Sequence, residues 1–341
     1  MRFQLVTAAV IVAISCCSCK EKASITLPAE LALQKAPSGF PEIPFPEENP
    51  FSYRKWELGK MLFNDKMLSV DYTVSCASCH KTELGFSDNV AKSLGAGSLT
   101  GRRNSPTLTN VAYQPYFTRE GGVPTLEMQI LVPIQEHDEM NFNIVDIAER
   151  MKHVPQYVDM SREIFDREPD PYVITRAIAT YERTLVSGNS AYDKYMNRGD
   201  TRGFDEAAQR GMRLFFSMRT GCSDCHSGFN FTNYSFENNG LYIEYNDPGR
   251  KRLTGKESDK ALFKVPTLRN IGLTAPYMFD GSVKTLEDVV AHYNSGGKPH
   301  PNKSVKLRPL QLSMQEQKDL VAFLYTLTDA EFITNKNFSN E

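Results

Sequence analysis

The chain has 341 residues, with 39 Lys and Arg against 41 Asp and Glu, and 40% of its residues are hydrophobic. This apolar content is enough for about two folded domains and excludes a disordered polymer. The net charge of −2 excludes the basic surface that nucleic-acid binding requires, so we expect no nucleic-acid partner.

The N-terminus, residues 1–19, has the order of an export signal. Arg2 is followed by an apolar run from Leu5 to Ile14 and then by small residues and cysteines, which predicts a signal peptide. Cleavage before Cys16 or Cys19 and acylation there would make the protein a bacterial lipoprotein; the alternative is an ordinary signal peptide whose cysteines are discarded. We therefore expect a periplasmic protein with a lipid anchor to the membrane.

The other four cysteines lie in two copies of the pattern Cys-x-x-Cys-His. The copies are Cys76, Cys79 and His80, and Cys222, Cys225 and His226. Two cysteines at this spacing can form thioethers with a porphyrin, and the following His then lies under the iron. A zinc site and a pair of redox disulfides are the alternatives, but 146 residues separate the two copies (76 to 222) and neither chemistry needs the repeated His. The pattern predicts two covalently bound c-type haems.

A second similarity recurs 160 residues further along the chain. Pro106-Thr107-Leu108 matches Pro266-Thr267-Leu268, and Thr125-Leu126-Glu127 matches Thr285-Leu286-Glu287. Because the haem motifs are only 146 residues apart, the second copy should carry a 14-residue insertion (160 minus 146), placed between Asn230 and Lys260. An internal duplication of a cytochrome c-like domain explains the pattern.

The remaining signals are helical, so the predicted fold class is mainly α with two cytochrome c-like haem domains. Helix starts are expected at Asp170-Pro171, Thr285 and Ser313. The polar stretch from Ser187 to Gly203 is the predicted joint. We expect a lead segment at 20–48, a first half at 49–190 with the peroxide-binding haem and a second half at 191–341 with the electron-transfer haem.

From about Pro44 to Thr328 the chain resembles the bacterial di-haem cytochrome c peroxidase family, and in one respect its MauG branch. The resemblance rests on several motifs in the same order: Leu58-Gly59-Lys60-x-Leu62-Phe63, Ser75 before the first Cys-x-x-Cys-His, Asn104-x-Pro106-Thr107, Thr125-Leu126-Glu127-x-Gln129, Val265-Pro266-Thr267-Leu268-Arg269-Asn270 and Thr274-x-Pro276-Tyr277. It implies a peroxidase in which hydrogen peroxide binds the N-terminal haem.

For that haem, the resemblance implies His80 as the iron ligand and Gln129, Pro133 and Glu139 on the opposite side. A carboxylate there can take a proton from bound peroxide and return it to the departing oxygen. The alternative is that Glu139, within the acidic run Glu136 to Glu139, is solvated surface; only its spacing to Gln129 and Pro133 favours the catalytic role. Many family members also carry a blocking His at the position of Ala96, so we expect an open iron here. His137 could substitute as a ligand, although it is expected at the pocket edge or exposed.

For the second haem, the 160-residue offset places Tyr293 where the first half has Pro133. The resemblance makes His226 and Tyr293 the iron ligands, as in the MauG branch, whereas family peroxidases usually have Met there. A phenolate binds ferric iron and lowers its potential. The alternatives are a ligand from Met278, Met314 or His292, or no sixth ligand.

Two further positions depend on the resemblance. The family commonly has a Trp between the haems where this chain has Arg119, which could pair with a haem propionate. The family also holds a calcium ion, for which Asn104, Thr274 and Pro276 match; the alternative is that Asn104 caps a turn.

Three functions follow from these features. The first is a peroxidase supplied with electrons by a cytochrome or quinol-linked donor. The second, favoured by Tyr293 and Ala96, is a MauG-like oxidase that uses peroxide to oxidise a partner protein. The third is a non-enzymatic electron carrier, which requires both irons to have six ligands. The sequence does not determine the donor, the target, the haem potentials or whether the protein forms a homodimer.

Overall fold

The structure is a computed structural model that describes residues 29–339, and these residues are mainly helical, as predicted. The α-helices among them are α1 (Ala29–Gln34), α2 (Tyr53–Asn64), α3 (Cys76–Cys79), α4 (Leu126–Gln129), α5 (Leu131–Gln135), α6 (Ile144–Lys152), α7 (Pro155–Phe165), α8 (Pro171–Arg183), α9 (Ala191–Arg198), α10 (Glu206–Phe215), α11 (Lys251–Thr254), α12 (Leu286–Ser295), α13 (Met314–Tyr325) and α14 (Ala330–Ile333). Two short strands, β1 (Phe236–Glu237) and β2 (Phe263–Lys264), pair antiparallel.

The export signal and its cysteines lie outside the described residues. Within residues 29–339 we find no helix of the length and apolar character needed to cross a bilayer.

The three predicted helix starts are confirmed, because each has the expected capping side chain. Asp170 accepts a hydrogen bond from the amide of Val173 at 2.9 Å and begins α8. Thr285 begins α12 in the same way. Ser313 and Glu316 form a reciprocal capping box that begins α13. Each cap satisfies amide groups that the first helical turn leaves unpaired.

Each half contains one closely packed helix pair, α2 with α8 in the first and α10 with α13 in the second. Both pairs meet at a glycine. A Cβ atom at Gly59 would overlap the carbonyl oxygen of Ala177, and one at Gly211 would overlap that of Asp319. Only glycine permits such close approach of two helix backbones. One hydrophobic core forms around each pair.

The two halves meet through two equivalent backbone hydrogen bonds. The amide of Asn104 donates to the carbonyl of Phe279 at 2.9 Å, and the amide of Lys264 donates to the carbonyl of Arg119 at 2.7 Å. Donors and acceptors are each 160 positions apart (104 to 264, 119 to 279). The segments that repeat in the sequence therefore contact each other across the interface.

The stretch from Ser187 to Gly203, predicted as the inter-domain joint, is partly helical and begins in a buried position. It contains helix α9, and Ser187 is only 1% exposed. The carboxylate of Asp329 accepts hydrogen bonds from Ser187 and from the amides of Gly188 and Asn189. Because the chain satisfies these polar groups internally, the start of the stretch is buried, whereas residues 196–199 and 201–203 are exposed.

The C-terminal residues of the second half return to the first. Phe332 and Phe338 belong to the hydrophobic core of the first half, and their rings lie 5.5 and 6.1 Å from that of Phe86. The chain therefore returns from the second half to the first near its C-terminus.

Candidate active site with two haem attachment motifs

The first attachment motif lies on the short helix α3. Cys76 and Cys79 are free thiols at its two ends, and His80 follows directly. The Nδ1 atom of His80 lies 3.0 Å from the carbonyl oxygen of Phe86. A carbonyl at Nδ1 fixes the imidazole tautomer and leaves Nε2 free to bind a metal.

The second motif repeats this arrangement. Cys222 and Cys225 are free thiols, and Nδ1 of His226 lies 3.1 Å from the carbonyl oxygen of Phe231. Burial lowers the pKa of His226 to about 4, so its imidazole is neutral and able to coordinate iron at neutral pH.

These residues fit a c-type haem in each half. Two thiols suit thioether formation, and the adjacent neutral His supplies the axial ligand. Within residues 29–339 no three His, Cys, Asp or Glu side chains converge as a metal-binding cluster, which gives the zinc alternative no support.

Glu139 lies beside the first motif. Its charge is close enough to raise the pKa of both Cys76 and Cys79. The pKa of Glu139 itself is raised to about 7, first by burial and then by Glu136 and Asp138. The side chain itself is exposed to solvent in the structure. At neutral pH this carboxyl can both accept and donate a proton.

Gln129 and Pro133 lie on the helices that precede Glu139. Gln129 ends α4, and its Oε1 atom is buried without a hydrogen-bond partner. Pro133 lies in α5, and its carbonyl accepts from the amide of Met140 at 3.0 Å. This bond ties the turn that carries Glu139 to α5. An unpaired buried amide oxygen destabilises the folded protein. A ligand that donates a hydrogen bond to this oxygen would remove that cost.

The loop at Ala96 fixes the Glu139 turn from the other side. The amide of Ala96 donates to the carbonyl of Glu139 at 2.7 Å. A Cβ at Gly95 would overlap the carbonyl oxygens of Asp138 and Glu139, so the loop packs directly on this backbone. Ala96 has no donor atom for iron, and His137 is exposed with Nδ1 3.2 Å from Oδ1 of Asn141.

Tyr293 lies beside the second motif, on α12. Its pKa is raised by burial and by the charges of Cys225 and Cys222, while a hydrogen bond with Asn239 lowers it. The phenol is thus near both thiols of this motif. A buried phenol is neutral until a cation such as ferric iron stabilises the phenolate.

The alternative ligands occupy different positions. Met314 is 73% exposed at the start of α13. His292 places Nε2 2.9 Å from the carbonyl of Asn239. Met278 accepts from Nδ2 of Asn239 at 3.1 Å, so its thioether shares a partner with Tyr293.

Arg119 and Asn104 bear on the calcium site. Nη2 of buried Arg119 donates to the backbone oxygen of Asn104 at 2.7 Å and to its Oδ1 at 3.3 Å. Burial lowers the pKa of Arg119 to about 10, so it remains a cation at neutral pH. Because a calcium ion on Oδ1 would lie beside this guanidinium, the residues do not fit calcium as they stand. Thr274 and Pro276 lie in the loop after the 3₁₀ turn Ile271–Leu273.

Sequence reasoning missed the groups that orient the expected ligands. The carbonyls of Phe86 and Phe231 hold the two histidines, but backbone atoms leave no residue-type signal. Asn239 contacts the Tyr293 phenol from within the predicted insertion, where the repeat offers no equivalent position.

Comparison with known proteins agrees with this site. Residues 53–202 match the family model described as di-haem cytochrome c peroxidase. The chain is 38% identical to the methylamine utilization protein MauG of Methylorubrum extorquens, covering 91% of this chain and 89% of the relative. It is 34% identical to the cytochrome c551 peroxidase of Pseudomonas aeruginosa, covering 84% and 83%.

A solved structure described as a MauG-like protein associated with microbial copper homeostasis has the same fold. Its TM-score is 0.84 at 33% identity, covering 89% of this chain and 97% of that one. Together with the two attachment motifs, these similarities show that the chain belongs to the di-haem cytochrome c peroxidase family and is a peroxidase-type oxidoreductase.

Proposed function

We propose that the protein reduces hydrogen peroxide at an open haem on His80, with electrons relayed through a closed haem on His226 and Tyr293. The proposal depends on which side chain lies near each haem attachment motif. Glu139 is near enough to the first motif to contribute to the raised pKa of its thiols, and the thiols of the second motif contribute to the raised pKa of Tyr293. An acid and a phenol therefore distinguish two otherwise similar sites.

The residues around His80 have separate roles in the reduction of peroxide. Haem supplies the iron at which peroxide takes up two electrons. Glu139 accepts the proton from the bound oxygen and returns it to the departing one, so that water leaves. Gln129 accepts a hydrogen bond from peroxide at its unpaired Oε1 and so orients peroxide, and Pro133 holds the turn of Glu139 in place. In the second half, Tyr293 closes the iron and makes this haem an electron relay.

A MauG-like oxidation of a partner protein is the second candidate, because Tyr293 replaces the usual Met and the chain is 38% identical to a MauG protein. Mixing the protein with peroxide, with and without reduced cytochrome c, separates the two. Rapid steady turnover indicates the peroxidase; slow turnover with a long-lived oxidised spectrum indicates the protein oxidase. Unreactive iron in both halves would instead support the electron carrier.

The two halves, 49–190 and 191–341, are proposed as duplicated cytochrome c-like domains. The equivalent glycine contacts and the paired interface hydrogen bonds support this origin. Export to the periplasm and acylation at Cys16 or Cys19 are proposed from the sequence alone. Mass spectrometry of the mature N-terminus distinguishes an acylated cysteine from ordinary cleavage.

Calcium enters no step of this proposal. The ion implied for Asn104, Thr274 and Pro276 would lie against the Arg119 guanidinium. We expect the purified protein to contain less than one calcium per chain and EGTA to leave its haem spectra unchanged. One calcium per chain, with spectra altered by EGTA, would restore the calcium site.

A further inference from the structure

The helix pairs of the two halves place different side chains at equivalent positions. A Cβ atom at Gly59 would lie 3.0 Å from the Cβ of Tyr181, and one at Gly211 would lie 2.9 Å from the Cβ of Phe323. Both rings are fully buried. The first half therefore carries a phenol where the second half carries a plain benzene ring in the same packing environment.

The hydroxyl of Tyr181 has no packing role that the structure reveals. It is buried and has no hydrogen-bond partner among the described residues. A buried hydroxyl without a partner costs roughly 1–3 kcal/mol, and Phe323 shows that a ring without it fills this space. Cys76 packs against the hydrophobic cluster that contains Tyr181, so the phenol lies close to the first haem attachment site.

Two more aromatic rings connect Tyr181 to the surface. The ring of Trp56, the one Trp in the chain, lies 5.9 Å from that of Tyr181. Tyr53 stacks on Trp56 at 5.4 Å with an angle of 20° between the ring planes. Tyr53 and Trp56 line a groove between α2 and α7. Counted from the equivalent glycines, the second half has Ala208 and Asp205 at the corresponding positions.

We propose that Tyr181, Trp56 and Tyr53 form a relay that carries one-electron oxidising equivalents from the first haem site to the surface groove. Tyr, Trp and Tyr are the most readily oxidised aromatic side chains, and their rings are in near contact from the haem site outward. The absence of all three from the equivalent positions of the second half confines the relay to the half with the proposed open iron. This inference rests on the proposed function, because peroxide supplies the oxidising equivalents.

The electron balance is that of a peroxidase. Peroxide takes two electrons and two protons and yields two molecules of water. Each equivalent that leaves through the relay finally removes one electron from Tyr53, whose phenolic proton goes to water, while Tyr181 and Trp56 regain the electrons that they gave. A one-electron reductant in the groove restores Tyr53.

The test is a single addition of peroxide to the di-haem protein, without reductant, in the presence of a nitrone spin trap. Peptide mass spectrometry then locates the trapped radicals. We expect an adduct on Tyr53 that falls at least tenfold in Trp56→Phe and in Tyr181→Phe. The matched control Tyr195→Phe, in the stacked Tyr195–Phe204 pair of the second half, should leave the adduct unchanged.

Two further measurements separate the relay from a structural role and from the proposed function. Tyr181→Phe should keep or increase the thermal stability, because it removes an unpaired buried hydroxyl. All variants should consume the first equivalent of peroxide at the wild-type rate. An adduct on Tyr53 that persists in both variants, or wild-type protein that consumes peroxide without labelling Tyr53, would overturn the relay. Wild-type protein that does not consume peroxide would overturn the proposed function instead.

Discussion

The two halves of the molecule hold their attachment histidines alike and differ in the groups that face them. In each half a carbonyl lies about one hydrogen-bond length from Nδ1 of the His, 3.0 Å in the first and 3.1 Å in the second. The first half then presents a carboxyl, Glu139, and the second a phenol, Tyr293. Under the proposed function, two similar scaffolds differ in chemistry through one distal side chain in each half.

The largest expected effect comes from removing the acid of the first half. Glu139→Gln keeps the size of the side chain but cannot accept a proton, so the peroxide reaction should slow by roughly 100- to 10,000-fold. Stopped-flow absorbance measures this rate. The matched control is Glu136→Gln, three residues away beside Arg102. Equal rates for wild type and Glu139→Gln would remove Glu139 from the mechanism.

The next comparison concerns the phenol of the second half. Tyr293→Phe should convert the low-spin signal of one haem to high-spin or to a new low-spin species, because the oxygen ligand is lost. Met278→Leu is the control, since its thioether shares Asn239 with the phenol. If Met278→Leu changes the spectrum and Tyr293→Phe does not, Met278 is the ligand.

The pH dependence of the peroxide reaction rate tests the role of Glu139. Its pKa, raised to about 7 by burial and by neighbouring acids, means that the carboxyl is protonated below this pH and cannot act as the base. The peroxide reaction should therefore slow by roughly tenfold for each pH unit below 7 and reach a plateau above it. Glu139→Gln should lack this acid limb. A wild-type profile that is flat from pH 5 to 8 would contradict the assignment.

The smallest expected effects test how alike the two scaffolds are. Gly59→Ala and Gly211→Ala each force a Cβ onto a carbonyl oxygen of the partner helix. Each should destabilise its half by about 1–3 kcal/mol, or somewhat more, because the packed helices must separate. Chemical denaturation measures both. A loss in only one half would mean that the helix pairs are not equivalent.

The elements and attachment motifs were accessible from the sequence because they follow local rules. Cys-x-x-Cys-His fixes its own spacing, and the caps at Asp170, Thr285 and Ser313 act within one helical turn. The mainly helical fold follows from these signals and is confirmed.

The parts that escaped prediction depend on long-range contacts. The stretch after Ser187 is predicted as a joint from its composition, but the burial of its first residues depends on Asp329, 142 positions from Ser187. Arg119 is unremarkable in sequence, and only the fold brings its guanidinium onto Asn104. The roles of Glu139, Gln129 and Tyr293 rest on a family resemblance and remain predictions.

The most direct measurement of the central difference is the EPR spectrum of the purified ferric protein. We predict one high-spin signal from the haem on His80 and one low-spin signal from the haem on His226, with peroxide removing the high-spin signal first. Two low-spin signals that peroxide leaves unchanged would contradict an open first site and would favour an electron carrier.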